Sequence, residues 1–194
     1  MAKYLPVKPP AKQSWRLISA TNILSPAFGG DDLELRRKGS KYEFTFDYGE
    51  VDYLESLDWS DLDVEGETVV AVVWQPGLDT GEPGSPRVSG GGQIGSVLKL
   101  KGVSPGYQVR KGQFLSVHDG GVRHFMYRAS AAVVAAPDGT MNVPLYTLLR
   151  HPHAGDSVVD IREPKVEGYP RDVSDREVYD NHNVKLSFKI RERG

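Results

Sequence analysis

Apolar and polar residues alternate strictly from Lys41 to Tyr48. Tyr42, Phe44, Phe46 and Tyr48 fall on one side, and Glu43, Thr45 and Asp47 on the other. A period of two predicts a strand in a sheet with one buried face. Val184–Arg191 (VKLSFKIR) repeats the pattern with Val184, Leu186, Phe188 and Ile190. Thr68–Trp74 (TVVAVVW) is a continuous β-branched run, which predicts a strand covered on both faces. Ser14–Thr21 and Leu33–Leu35 predict two further strands, separated by the turn-rich NILSPAFGG. Between Glu50 and Leu62 the period changes. Val51, Leu54, Leu57 and Leu62 form a stripe at helical spacing, so residues 50–62 are the predicted helix, with acids suited to its N-terminal end.

The rhythm then breaks. Gln75–Gly95 (QPGLDTGEPGSPRVSGGGQIG) holds seven glycines and three prolines and predicts a joint over 76–95. Short strands follow at close spacing: Ser96–Lys101, Gln113–His118, Val122–Ala136, Met141–Leu149 and Ser157–Ile161. Glycine turns separate them, which predicts a small antiparallel barrel over 96–162. The first and last strands cannot each stand alone, so the economical arrangement places them in one sheet. The expected fold is mainly β, a β-rich α+β chain. Residues 14–75 and 163–194 form a discontinuous domain, the barrel is inserted between them, and 1–13 (MAKYLPVKPPAKQ) is an extended arm.

Composition narrows the function classes. The 194 residues contain no cysteine, which excludes disulfides, thiolate metal sites and thiol nucleophiles. Glycine (21) and proline (13) exceed one residue in six, as suits a turn-rich chain. No apolar run approaches the roughly 18 residues of a membrane span, and the N-terminus lacks the apolar core of a secretory signal. The net charge of −2 argues against a dedicated nucleic-acid binder. Charge is nonetheless segregated. Residues 1–17 carry four bases and no acid, 47–67 nine acids and no base, and 87–154 eight bases and two acids. The plain reading is solvated faces. The sharper one is complementarity between copies, with Lys8, Lys12 and Arg16 of one facing Asp58, Asp61 and Asp63 of the next.

No motif assembles a catalytic constellation, so the expectation is a non-enzyme without cofactor. SGGGQIGS lacks the lysine of a P-loop and the context of a dinucleotide site. His151 and His153 are the candidates for a metal, since two residues apart on a strand they share a face. Pro152 between them and Gly155-Asp156 after them make a turn at least as good a reading. Phe125 and Tyr127 lie between Arg123 and Arg128, a pattern that can stack sugars or bases on a barrel face. With Tyr107 they form a candidate glycan contact; packing inside the barrel is the alternative.

The order of features resembles a family. A tryptophan strand leads into SPAFGGDDLEL, and KGSKYEFTFDYGEVDYLESLDW supplies a glycine turn, an aromatic strand and a helix ending near a tryptophan. In the second half, Lys111-Gly112-Gln113-Phe114, Asp138-Gly139, Pro144-Leu145, Leu149-Arg150 and Pro152 match a recurrent module of phage tail proteins, and KLSFKI resembles its closing strand. Gln113 stands where that module usually carries an acid. The similarity, from about Trp15 to Ile190, is to distal tail proteins of siphovirus-like phages. It implies a split β-barrel or sandwich with one helix plus a small OB-like barrel. It also implies a virion protein, assembled in the host cytoplasm, six copies of which form a ring. That ring would join the tail tube to the tip hub or fibres. The alternative function is a carbohydrate-binding module touching a host surface glycan.

Overall fold

A computed structural model describes residues 2–120, 123–180 and 182–193. Met1, Gly121, Val122, Asn181 and Gly194 lie outside the described residues, among them the expected start of the Val122–Ala136 strand. In chain order the elements are β1 (Lys3–Tyr4), β2 (Lys12–Ile18), β3 (Asn22–Leu24), β4 (Leu33–Leu35), β5 (Lys41–Asp52), α1 (Tyr53–Leu57) and a 3₁₀ turn (Ser60–Asp63). Then come β6 (Val69–Val72), β7 (Gly84–Val88), β8 (Val97–Val103), β9 (Gln108–Val109), β10 (Phe114–Asp119), β11 (Arg123–Arg128) and β12 (Val133–Val134). The chain ends with β13 (Met141–Pro144), β14 (Val158–Asp160), β15 (Lys165–Arg171) and β16 (Asn183–Glu192). The fold is mainly β, with curled, half-barrel sheets.

Two six-stranded sheets carry the architecture. The first, β1-β6-β15-β16-β5-β2, draws strands from both ends of the chain; the second, β11-β10-β14-β7-β8-β13, comes wholly from the stretch between β6 and β15. In the first, Tyr42, Phe44, Phe46 and Tyr48 of β5 are buried beside Leu186, Phe188 and Ile190 of β16, the faces that the alternation predicts. β6 lies between β1 and β15, and Val69, Val70 and Ala71 are all buried, as a doubly covered strand requires. The second sheet packs Val88, Leu98, Leu100, Leu115, Val117, Tyr127 and Val159 into its own core. An isolated bridge between Ala129 and Leu145 draws its two edge strands together. Phe114 and Met126 of the second sheet nevertheless belong to the core of the first.

Several expectations are corrected. The arm over 1–13 is pinned: Lys3 and Tyr4 pair in parallel with Val69 and Val70, and Leu5 is buried. The proposed joint over 76–95 contains β7, a ladder strand between β8 and β14. Gly102 is required where these strands cross, because a Cβ there would sit 2.6 Å from the Ser85 carbonyl oxygen, and its φ of 72° also disfavours other residues. The helix over 50–62 is shorter. Val51 continues β5 opposite Val184, and Asp52 caps α1 by accepting the Leu54 N–H at 2.8 Å. With only five helical residues the stripe never forms, and Leu54 and Leu57 face outward. The real anchor is Trp59, buried against Tyr48 at 4.5 Å and Phe188 at 5.8 Å.

Candidate functional site

The seam between the sheets is built by two buried carboxylates. β11 is an edge strand, and its backbone needs partners that the ladder does not supply. Glu192 accepts the Met126 N–H at 2.8 Å through Oε1 and the Tyr42 N–H at 2.7 Å through Oε2. Glu167 accepts the His124 N–H at 2.9 Å and the Thr68 hydroxyl at 3.2 Å. Gly168 makes this possible: a Cβ there would lie 2.0 Å from the Arg191 carbonyl oxygen, so only glycine lets β15 close on β16 at this point. The Arg150 guanidinium, itself buried, pairs with Glu192 and donates to the Met126 carbonyl at 3.1 Å. Burial works against its charge, but Glu192 outweighs that and holds its pKa above the ordinary value.

Histidines flank the seam. His124 lies 3.0 Å from the Tyr4 hydroxyl and stacks on His118 at 4.2 Å. Burial, with His118 and Lys165 adding to it, pushes its pKa down to about 3. His151 and His153 do converge, at 3.3 and 3.5 Å from Asp119, whose other oxygen accepts from the Ser157 hydroxyl at 2.7 Å and the Ala154 N–H at 3.2 Å. His153 is fully buried, 2.8 Å from the Tyr127 hydroxyl, and burial lowers its pKa to about 4. Among the described residues no three histidine, aspartate or glutamate side chains are arranged to hold a metal ion. His153 is packed in the interior, and the half-exposed His151 stacks on Phe125 at 5.5 Å.

The proposed glycan platform is not a surface. Tyr127 is fully buried, Phe125 is buried, and Tyr107 packs against the core of the second sheet. Strand β11 is covered on both sides, by its own sheet's core and by the seam, so its aromatics have no free face. The Arg123 guanidinium lies 5.0 Å over Phe125, and Arg128 lies 5.3 to 5.4 Å over Phe114, Trp15 and Tyr146.

An aromatic and cationic cleft exists elsewhere, at the free edge of the first sheet. Trp15, Trp74, Leu78, Phe114, Arg110, Lys111 and Arg128 line a cavity of about 360 Å³. Two glutamines hold its walls by mimicking backbone pairing. Gln13 exchanges two hydrogen bonds of 3.1 Å with the Trp74 backbone, and Gln75 accepts the Phe114 N–H at 2.8 Å and donates to its carbonyl at 3.3 Å. Trp15 meets Phe114 edge-on at 5.4 Å. The sequence holds no local signal for this cleft, because Trp15 on β2, Trp74 just after β6 and Phe114 on β10 are far apart in the chain. Gln113 is buried nearby and accepts the Arg110 N–H at 2.9 Å.

The residues expected to face between copies are largely engaged within one. Lys8 pairs with Glu55 at 2.5 Å, Lys3 with Asp61 at 3.9 Å, Arg16 with the buried Glu43 at 2.6 Å, and Asp63 with Arg176 at 3.1 Å. Arg176 also donates to the carbonyls of Ser56 and Trp59, closing the helical segment. Lys12 and Asp58 are exposed. Two lysines of the basic arm, Lys3 and Lys8, therefore pair with acids of the 47–67 segment of the same chain. No family model matches the chain, and no curated protein matches it in sequence. No helix among the described residues is long and apolar enough to cross a membrane.

Proposed function

We propose that this protein is a structural subunit of a phage tail tip, a ring-forming adaptor of the distal-tail kind that joins the tail tube to the tip or fibre apparatus. The observation that carries the reading is a body with a hydrophobic element left unused. Two sheets are fastened by Glu167, Glu192 and Arg150, while the β3–β4 hairpin leaves Ile23, Leu24, Phe28 and Leu33 exposed. A cluster of exposed apolar side chains on one hairpin supports a contact with another protein. A subunit of this kind works by geometry: its stiffness transmits force, and its neighbours fix its orientation. The carbohydrate reading loses its support, since Phe125 and Tyr127 lie in the interior. Antibodies against the purified protein should label the tail tip of virions in electron micrographs, and native mass spectrometry should find closed oligomers. Label confined to the capsid, or absent from the particle, would refute the proposal.

A further inference from the structure

We infer that the β3–β4 hairpin of one copy docks into the Trp15–Trp74 cleft of the next. This rests on the ring reading and names its contact. The hairpin pairs Asn22–Leu24 with Leu33–Leu35, and at its tip Phe28 is fully exposed. Its base is fastened to its own subunit, where Arg36 donates to the Tyr146 carbonyl at 3.2 Å. Around the tip, Asp31, Asp32 and Glu34 are exposed acids without an ion pair among the described residues. The cleft is the counterpart. Its floor is apolar, from Trp15, Trp74 and Leu78, and Arg110 and Lys111 stand exposed at its rim, also without an ion pair. It opens beside β2, the edge strand of the first sheet, whose Trp15 and Leu17 are 46% and 45% exposed. An uncovered edge with large apolar side chains is a surface that proteins normally protect or use.

The two elements complement each other in shape, polarity and charge: a projecting apolar tip with acids, and an apolar recess with cations. Because they are different surfaces of one chain, the contact is heterologous, and it propagates into a ring if the rotation closes. Apolar burial of Phe28 supplies most of the affinity, and the charges set the approach and reject the reversed orientation.

The absence of cysteine makes the test clean. Ala27→Cys is placed next to the tip, and Pro76→Cys at the cleft, leaving Phe28 and both tryptophans in place. Mixed under mild oxidation, the two single variants should form a disulfide at least about tenfold faster than either alone. Adding Phe28→Asp to the first variant, or Arg110→Glu with Lys111→Glu to the second, should return the rate to that of random collision. Circular dichroism checks that each variant is folded. A mixture no faster than the single variants overturns the inference. If such a protein still forms closed oligomers by native mass spectrometry, the ring reading survives with another contact; if it is also monomeric and absent from the tail tip, both fall. Faster disulfide formation by Ala27→Cys alone would instead indicate a symmetric tip-to-tip dimer and would also overturn it.

Discussion

Replacing Glu192 by glutamine tests whether the seam holds the two sheets together. The carboxylate accepts from the Tyr42 and Met126 N–H groups and from Arg150. Glutamine keeps one acceptor oxygen but turns a donor toward one of those N–H groups, and it leaves the Arg150 guanidinium, with 7% of its side chain exposed, without its counter-charge. An uncompensated buried charge costs about 3–5 kcal/mol, and one orphaned backbone N–H about 1–3 kcal/mol. The expected loss is therefore on the order of 4–8 kcal/mol, much of the stability of an ordinary domain. Arg150→Met in the same chain removes the unpaired charge, so the double variant should be more stable than Glu192→Gln alone by roughly the charge contribution, about 3 kcal/mol. Urea unfolding followed by tryptophan fluorescence reads both numbers. A second transition in the single variant would mean that the sheets separate before they unfold. A loss below about 1 kcal/mol, or a double variant no better than the single one, would show that the seam does not depend on this pair.

Stability should fall with acid. His124 and His153 have pKa values of about 3 and about 4 when folded, against an ordinary 6.5, so the unfolded chain binds protons first. Their contribution is intact above about pH 6.5 and is lost progressively as pH falls toward 4 and then 3, by roughly 4 kcal/mol between pH 7 and 5 for the two together. His153→Asn with His124→Gln should flatten that slope in denaturation at graded pH; an unchanged slope would reject the assignment. Phe44→Ala and Phe46→Ala should each lose about 3–5 kcal/mol, since both rings are fully buried; a loss under about 1 kcal/mol at both, measured by urea unfolding, would mean that the face is inverted. Changing Asp58, Asp61 and Asp63 together to lysine should lower the thermal midpoint modestly, as the pairs with Lys3 and Arg176 are partly exposed and worth about 0.2–1 kcal/mol each. Normal stability with blocked assembly would return these acids to an interface between copies.

The sequence by itself determined the strands with a period of two, the buried face of β5, the doubly covered β6 and the return of the last strand to the sheet of the first. The first three follow from which side chains must leave water, which is local information; the last follows because neither terminal strand can stand alone. It also brought His151 and His153 to notice, and they do meet at Asp119. Only the tertiary structure decided the rest. Alternation in β11 could not tell an open barrel face from a filled interior, so Phe125 and Tyr127 read as a platform when they are the core of their own sheet, while Met126 on the opposite side packs into the core of the first. Segregated charge could not reveal its partner, because Lys8 and Glu55 are 47 residues apart and meet only when β1 pairs with β6. The seam is less legible still. Glu192, Tyr42, Met126 and Arg150 come from four separate parts of the chain, and a glutamate near the C-terminus looks like any solvated acid. Its role exists only because an edge strand arrived with unpaired N–H groups, which burial does not tolerate.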